Sequence, residues 1–400
     1  MRIGMILDNE FTGDMRVENE VISLQKAGFQ VYVLCLNYGN KPAIEDFHGA
    51  KVIRIQLSLY LKKKMKGLCN TFIDPYSIFW GRHILKFIRK YDIRVIHAHD
   101  LYMLGGAFYA NKRLRNSCKV VADLHENYPE ALKGYKFTQV FPGNLIVSIP
   151  GWEKTEVRWL NQSDYIITVI EEAAERYAGL GIPREKIFVV ANYVNKEQFE
   201  QEADPTIIQK FQGKNIATYI GGFDNHRGLE TALRATLLII DQIPDYQLVL
   251  VGAGRNEGDL KKLAHHYGIE TYISFEGYQP PELLPSYILS SAVCLIPHRK
   301  TPHTDNTIPH KLFQYMLLGK PVLVSDCKPL ERIVSETRAG LVFQSGNEHD
   351  FAEKITQLFS DPEQSDQMGK NGKRAVREKY NWEATANNLI LLYNSILDKK

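Results

Sequence analysis

No stretch of this chain reaches the ~20 uninterrupted apolar residues needed to span a bilayer. The apolar run at residues 1–7 is short and meets Asp8 and Glu10, so it reads as a strand rather than a secretory leader. There are only five cysteines (Cys35, Cys69, Cys118, Cys294 and Cys327), an odd number with no C-x-x-C spacing. That argues against a disulfide framework or zinc module and for small buried thiols in a reducing cytoplasm. No D-x-D pair occurs, so the aspartate spacing expected for a divalent ion held against a phosphate is missing. Low-complexity tracts and solenoid-period repeats are absent as well. What is present is a soluble globular composition, 44% hydrophobic and 24% charged over 400 residues, long enough for two domains.

The net charge of +3 decides little, but its distribution is uneven. Between Lys51 and Lys119 there are fifteen Lys and Arg residues against three acids, Asp74, Asp92 and Asp100. Within that span, residues 57–68 set Lys62, Lys63, Lys64 and Lys66 beside Leu57, Leu59, Leu61 and Met65. Such a segment suits an anionic membrane surface and equally suits a solvated basic face, and both readings stay open. Nucleic acid is not an expected partner, because neither an aromatic platform nor a helix-turn-helix pattern accompanies the charge.

Short apolar runs alternate with helical patterns, the mark of parallel-sheet α/β domains. Strands are expected at 2–7, 31–36, 51–56, 95–98, 120–123, 165–169 and 187–190, with helices at 16–27 and 77–90. A polar passage, 195–205, reads as a linker. The alternation restarts with strands at 216–220, 247–251, 272–275, 293–296 and 321–324, and a last helix opens near Trp382. The expected architecture is two doubly wound units: 1–194, 195–380, and a helix over 381–400 that packs back on the first.

In open α/β sheets ligands bind at the carboxyl ends of the strands. The first such loop lacks G-x-G-x-x-G but offers Gly13 and a helix start, with Arg16 facing a ligand or pairing with Glu20 at i,i+4. His125 closes one strand and is well placed for ligand contact. His97 and His99 share one strand face, but no third metal ligand follows locally, so no metal is expected. The loop 221–228 combines glycines with Arg227 before a helix, a credible diphosphate site. Gly252-Ala-Gly254-Arg-Asn-Glu-Gly258, with Glu276 after the next strand, supports a nicotinamide oxidoreductase when taken alone. Lys311 and Gln314 share one face near the start of a helix.

Together these motifs resemble the GT-B glycosyltransferases, specifically the retaining family numbered four. The likeness is carried by His97-Ala-His-Asp, Asp123-Leu-His-Glu, Gly221-Gly…Arg227-Gly and Lys311-Leu-Phe-Gln-Tyr-Met…Gly319-Lys-Pro-Val. The resemblance implies two Rossmann-like domains facing across a cleft, with a nucleotide-sugar donor on the C-terminal one and a glycan or lipid-linked acceptor on the N-terminal one. It places Gln314 and Asn306 where the family has two glutamates, Arg227 on its lysine beside the diphosphate, and Gly222 on its arginine. His125 falls on the histidine near the donor sugar, the catalytic candidate. Glu→Gln and Glu→Asn keep hydrogen-bonding capacity and lose two charges, while Gly222 removes a cation. The implied activity is a retaining, metal-free hexosyl transfer in glycan biosynthesis, cytoplasmic or peripheral on the membrane. A non-hydrolysing sugar-nucleotide epimerase and a catalytically degenerate GT-B subunit are the alternatives.

Overall fold

The computed structural model describes residues 1–398 and divides into two compact units, each with its own parallel sheet. Unit 1 comprises Met1–Ala191 and the chain from Thr385 onward; unit 2 is Asn192–Ala384. Unit 1 holds β1 (Arg2–Ile6), β2 (Gln30–Asn37), β3 (Ile44–Phe47), β4 (Ala50–Gln56), β5 (Val95–His99), β6 (Lys119–Leu124), β7 (Tyr165–Thr168) and β8 (Ile187–Val189). Their order is β3-β4-β2-β1-β5-β6-β7-β8, and only β3 runs antiparallel. Strand order reverses between β1 and β5, so loops leaving their carboxyl ends diverge there and leave room for a ligand. Both faces of the central strands are covered, so nearly every residue of β1, β5, β6 and β7 is buried, Ile3, Met5, Ile96, Val121 and Ile166 among them.

The helices around this sheet start where the sequence supplies caps. In α1 (Met15–Lys26), the Asp14 carboxylate accepts from the Val17 amide. In α2 (Leu59–Gly67), Ser58 does the same for Leu61. In α3 (Pro75–Tyr91), Asp74 caps and proline occupies the first turn, where its missing N–H costs nothing. The final helix, Trp382–Asp398, starts in unit 2 and ends in unit 1, where the Tyr393 hydroxyl lies 2.7 Å from Nδ1 of His97.

Unit 2 holds β9 (Asn215–Ile220), β10 (Tyr246–Val251), β11 (Ile273–Gly277), β12 (Val293–Ile296), β13 (Val322–Ser325) and β14 (Gly340–Phe343). The order β11-β10-β9-β12-β13-β14 is parallel throughout and reverses between β9 and β12. The polar passage at 195–205 belongs to this unit, and Lys196–Phe199 within it is helical.

Two strands escape the sequence pattern. β3 is Ile-Glu-Asp-Phe, an edge strand whose charges face water, so it has no apolar period to detect. β14 is four residues long, and Gly340 fits only because it lacks a side chain: a Cβ there would meet the Val322 carbonyl oxygen at 1.8 Å.

Candidate active site

In unit 2 the loops after β9, β10 and β12 meet at the reversal point. The 221–228 loop is stacked on the loop after β10. Phe223 N–H donates to the Ala253 carbonyl (3.1 Å), and Asn256 N–H donates to Phe223 (3.0 Å). Gly252 has φ +132, and a Cβ on it would lie 2.1 Å from the Gly221 oxygen. The G-x-G spacing at 252–254 is thus accounted for by loop-on-loop packing. Glu276, the other half of the oxidoreductase reading, has its carboxylate taken by Lys210, Ser274 and Tyr287.

Onto this glycine floor the helix Lys311–Leu317 projects its first residue. The Tyr315 hydroxyl accepts the Ile220 amide at 2.9 Å, tying that helix to the end of β9. Lys311 is buried, its Nζ is 3.7 Å from the Tyr219 ring centre, and it makes no hydrogen bond. A Cβ on Gly221 would come within 2.5 Å of that Nζ. Burial, then the nearby Arg227 charge, push the Lys311 pKa well below its ordinary value. Arg227 Nη1 donates to Nε2 of His298 (3.1 Å), while its buried Nε has no partner. Burial, then the Arg227 charge, keep His298 well below the usual histidine range and hold His226 at about 4. The cluster thus sets two basic side chains with unpartnered buried nitrogens beside two imidazoles whose pKa values are lowered.

The other predicted donor residues of this unit are Gly222, Gln314 and Asn306. Gly222 has open space: the nearest atom to a Cβ is Asp224 Oδ2 at 3.4 Å. Gln314 is half-buried and its side-chain amide makes no hydrogen bond among the described residues. Asn306 donates Nδ2 to the Pro302 carbonyl at 2.7 Å, which holds its turn together.

In unit 1 the carboxyl ends of β1, β5 and β6 carry a buried polar network. Arg16, expected to have a choice, takes the inward one. Its guanidinium pairs with Glu20 (3.0 Å) and Asp123 (3.1 Å) and donates to the Val190 carbonyl (2.8 Å). Gly13 is exposed, and its amide is already satisfied by Glu18 at 2.7 Å. The Gly13 amide is therefore taken, while the buried Nε of Arg16 has no hydrogen-bond partner. His97 and His99 stack at 4.4 Å, as their i,i+2 spacing suggested. The missing further ligands come from other elements: Glu20 and Asp123 bring four potential ligand atoms within 4.8 Å. The cation held by those carboxylates here is the Arg16 guanidinium.

His125 is about a quarter exposed, with Nε2 donating to Asp123 Oδ2 at 3.1 Å and Nδ1 3.8 Å from Asp100. Burial opposes its charge, but Asp123 and Asp100 outweigh that and raise the pKa to about 9. At neutral pH His125 is an imidazolium, a hydrogen-bond donor and not a base.

Three residues at this rim were missed. Asp8 accepts from Lys66 (3.0 Å), Tyr76 (2.8 Å) and Tyr102 (3.1 Å) and pairs with Lys62 (3.2 Å). Tyr102 also donates to Asp100 at 2.6 Å. Glu126 makes no hydrogen bond among the described residues, and burial followed by the Asp100 charge raises it to about 7. Position at a strand end, next to His125, was the signal that could have found it.

Comparison with known proteins agrees with this geometry. The model for glycosyl transferases group 1 matches residues 200–375, and that for glycosyltransferase family 4 matches 15–198. The chain is 21% identical to the uncharacterized glycosyltransferase MJ1607 of Methanocaldococcus jannaschii, covering 94% of this chain and 92% of that protein. It is 24% identical to the sulfoquinovosyl transferase SQD2 of Arabidopsis thaliana, over 92% of this chain and 68% of the relative. Among solved structures, the sucrose-phosphate synthase of Thermosynechococcus elongatus superposes with a TM-score of 0.79 at 20% identity, with full coverage of both chains. Anabaena Alr3699/HepE in complex with UDP gives 0.73 at 15% identity, covering 99% of this chain and 100% of that one. With both halves matched and the fold shared along the whole length, the chain belongs to the GT-B-fold glycosyltransferases of the group 1, family 4 type.

Proposed function

We propose that this protein transfers a hexose from a nucleotide-sugar donor to a glycan or lipid-linked acceptor, with retention of configuration and without a metal ion. The observation that carries the reading is the buried, unpaired Lys311 Nζ beside Arg227 on a glycine floor. A buried amine without a hydrogen-bond partner is costly, and an anion placed there removes the penalty and favours the lysine's charged form. Backbone N–H groups at the start of the helix Leu229–Ile239, which has no side-chain cap, add to the same field. The solved structures of HepE with UDP and with UDP-glucose support a uridine diphosphate sugar as the first donor to try.

In the transfer, the acceptor hydroxyl oxygen bonds to the anomeric carbon as the bond from that carbon to the diphosphate breaks; the electron pair stays on the diphosphate, whose departing oxygen takes up the hydroxyl's proton. Arg227 and the charged form of Lys311 meet that charge, the part a divalent ion would otherwise play. Gln314 and Asn306 contribute neutral contacts to ribose and sugar. The five cysteines are free and buried, which supports a cytoplasmic, reducing setting. The test is release of nucleoside diphosphate from a panel of nucleotide hexoses, with acceptor extract and excess EDTA. Turnover that survives EDTA is expected. Turnover lost with EDTA and restored by Mg²⁺ overturns the metal-free part, and no turnover with any donor overturns the reading.

A further inference from the structure

We propose that unit 1 docks on an anionic lipid bilayer through two neighbouring segments, residues 59–73 and 135–145. Among the described residues these 26 positions hold eleven of the eighteen large apolar side chains that stand exposed. The most prominent are Phe72 at 105% exposure, Phe141 at 79%, Leu145 at 77%, Ile73 at 72% and Tyr60 at 68%. Scattered single apolar residues on a surface are ordinary, but a concentration of this kind marks an interaction surface. The two segments adjoin: a Cβ on Gly67 at the end of α2 would sit 3.5 Å from the Phe137 ring. Below them, Thr155 donates to Asn70 Oδ1 at 3.0 Å, fixing the 68–73 turn to the helix Ile149–Gln162.

The electrostatics select the occupant. No Asp or Glu occurs at 57–73 or at 131–152, while Lys63 and Lys64 stand exposed on α2. Lys62 and Lys66, which the sequence offered for the same purpose, turn inward to Asp8. Leu57, also offered, is buried. The membrane-facing set therefore differs from the one the sequence suggested and includes a second segment with no charge signature. A second copy of the chain meeting this face by two-fold symmetry would bring lysines against lysines. An anionic bilayer supplies opposite charge for Lys63 and Lys64 and an apolar layer for Phe72, Ile73, Phe141 and Leu145. Among the described residues no helix is long and apolar enough to cross a membrane, so the contact is peripheral.

The experiment is flotation of the full chain with vesicles of pure phosphatidylcholine and of phosphatidylcholine containing one third phosphatidylglycerol, at low and at high salt. It does not depend on activity, so it can fail while the transferase reading stands, and the reverse. Wild type is expected to float with the anionic vesicles only, and less as salt rises, because screening shortens to ~3 Å at 1 M. Lys63→Glu/Lys64→Glu and, separately, Phe72→Ser/Phe141→Ser/Leu145→Ser should each reduce bound protein at least tenfold. These positions are exposed, so the variants are expected to fold, and unchanged circular dichroism and melting verify it. Leu391→Ser, at an exposed apolar site elsewhere, should float like wild type. The proposal is overturned if wild type ignores anionic vesicles, if either multiple variant floats as well as wild type, or if sedimentation shows a dimer that the serine variant dissociates.

Discussion

Replacing Lys311 by methionine should move stability and ligand binding in opposite directions. Methionine has nearly the length of lysine without the amine, so it fills the slot against Tyr219 while removing the nitrogen that has no partner. Relieving an unsatisfied buried donor is worth about 1–3 kcal/mol. For a unit the size of Asn192–Ala384 that corresponds to a rise in melting temperature of roughly 2–10 °C. The same change deletes a charge-assisted hydrogen bond to a diphosphate, worth about 1.5–3 kcal/mol, or roughly 10- to 150-fold in affinity. Burial and Arg227 lower the Lys311 pKa in the free protein and a bound diphosphate should raise it again, so binding should take up protons at a pH between the two values. Affinity then weakens as pH rises. Calorimetry of UDP binding in two buffers of different ionisation enthalpy reads that uptake directly, and scanning fluorimetry reads the melting temperature. A Lys311→Met protein that melts lower without ligand, and binds UDP with wild-type affinity and wild-type proton uptake, refutes the reasoning.

Three further outcomes are expected. Gly222→Arg should tighten UDP binding several-fold with an unchanged fold, since a Cβ there meets only Asp224 Oδ2 at ordinary contact distance; weaker binding by calorimetry counts against it. Glu126→Gln should raise unfolding stability above pH 7. The native carboxyl is raised to about 7, so its ionisation in the fold is penalised above that pH, and the gain should shrink as pH falls towards 4.5 and vanish below it. Denaturant titrations at pH 5 and 8 check the sign. His125 should titrate by NMR near 9; its charged form contributes stability that is complete below pH 6.5 and lost as pH rises through 9.

The sheets were legible because buried parallel strands are short apolar runs between helical patterns, and that signal needs no long-range knowledge. It failed at β3, whose Glu45 and Asp46 face water, and at β14, where a four-residue edge strand offers too little sequence to show a period. In the site, local spacing carried some relations and missed others. The Arg16–Glu20 pair could be read from i,i+4 geometry, but its second partner, Asp123, lies 107 residues away. The shared face of His97 and His99 follows from strand pleat, whereas Glu20 reaches them only through the packing of α1. A glycine pattern cannot state whether a backbone approaches a ligand or another backbone, and at Gly252 it approaches Gly221. The burial of Lys311 was invisible for the same reason: a lysine at a helix start is normally solvated, and the covering groups come from β9 and its loop.

We propose that the glycine floor with Lys311 and Arg227 holds a nucleoside diphosphate. Titrating UDP into the full-length protein by calorimetry, with Arg227→Ala alongside, tests it most directly. Saturable one-to-one binding is expected for the wild type, weakened roughly 10- to 150-fold in a variant that melts normally. Failure of UDP, ADP and GDP all to bind at millimolar concentration, or binding that Arg227→Ala leaves untouched, contradicts the assignment.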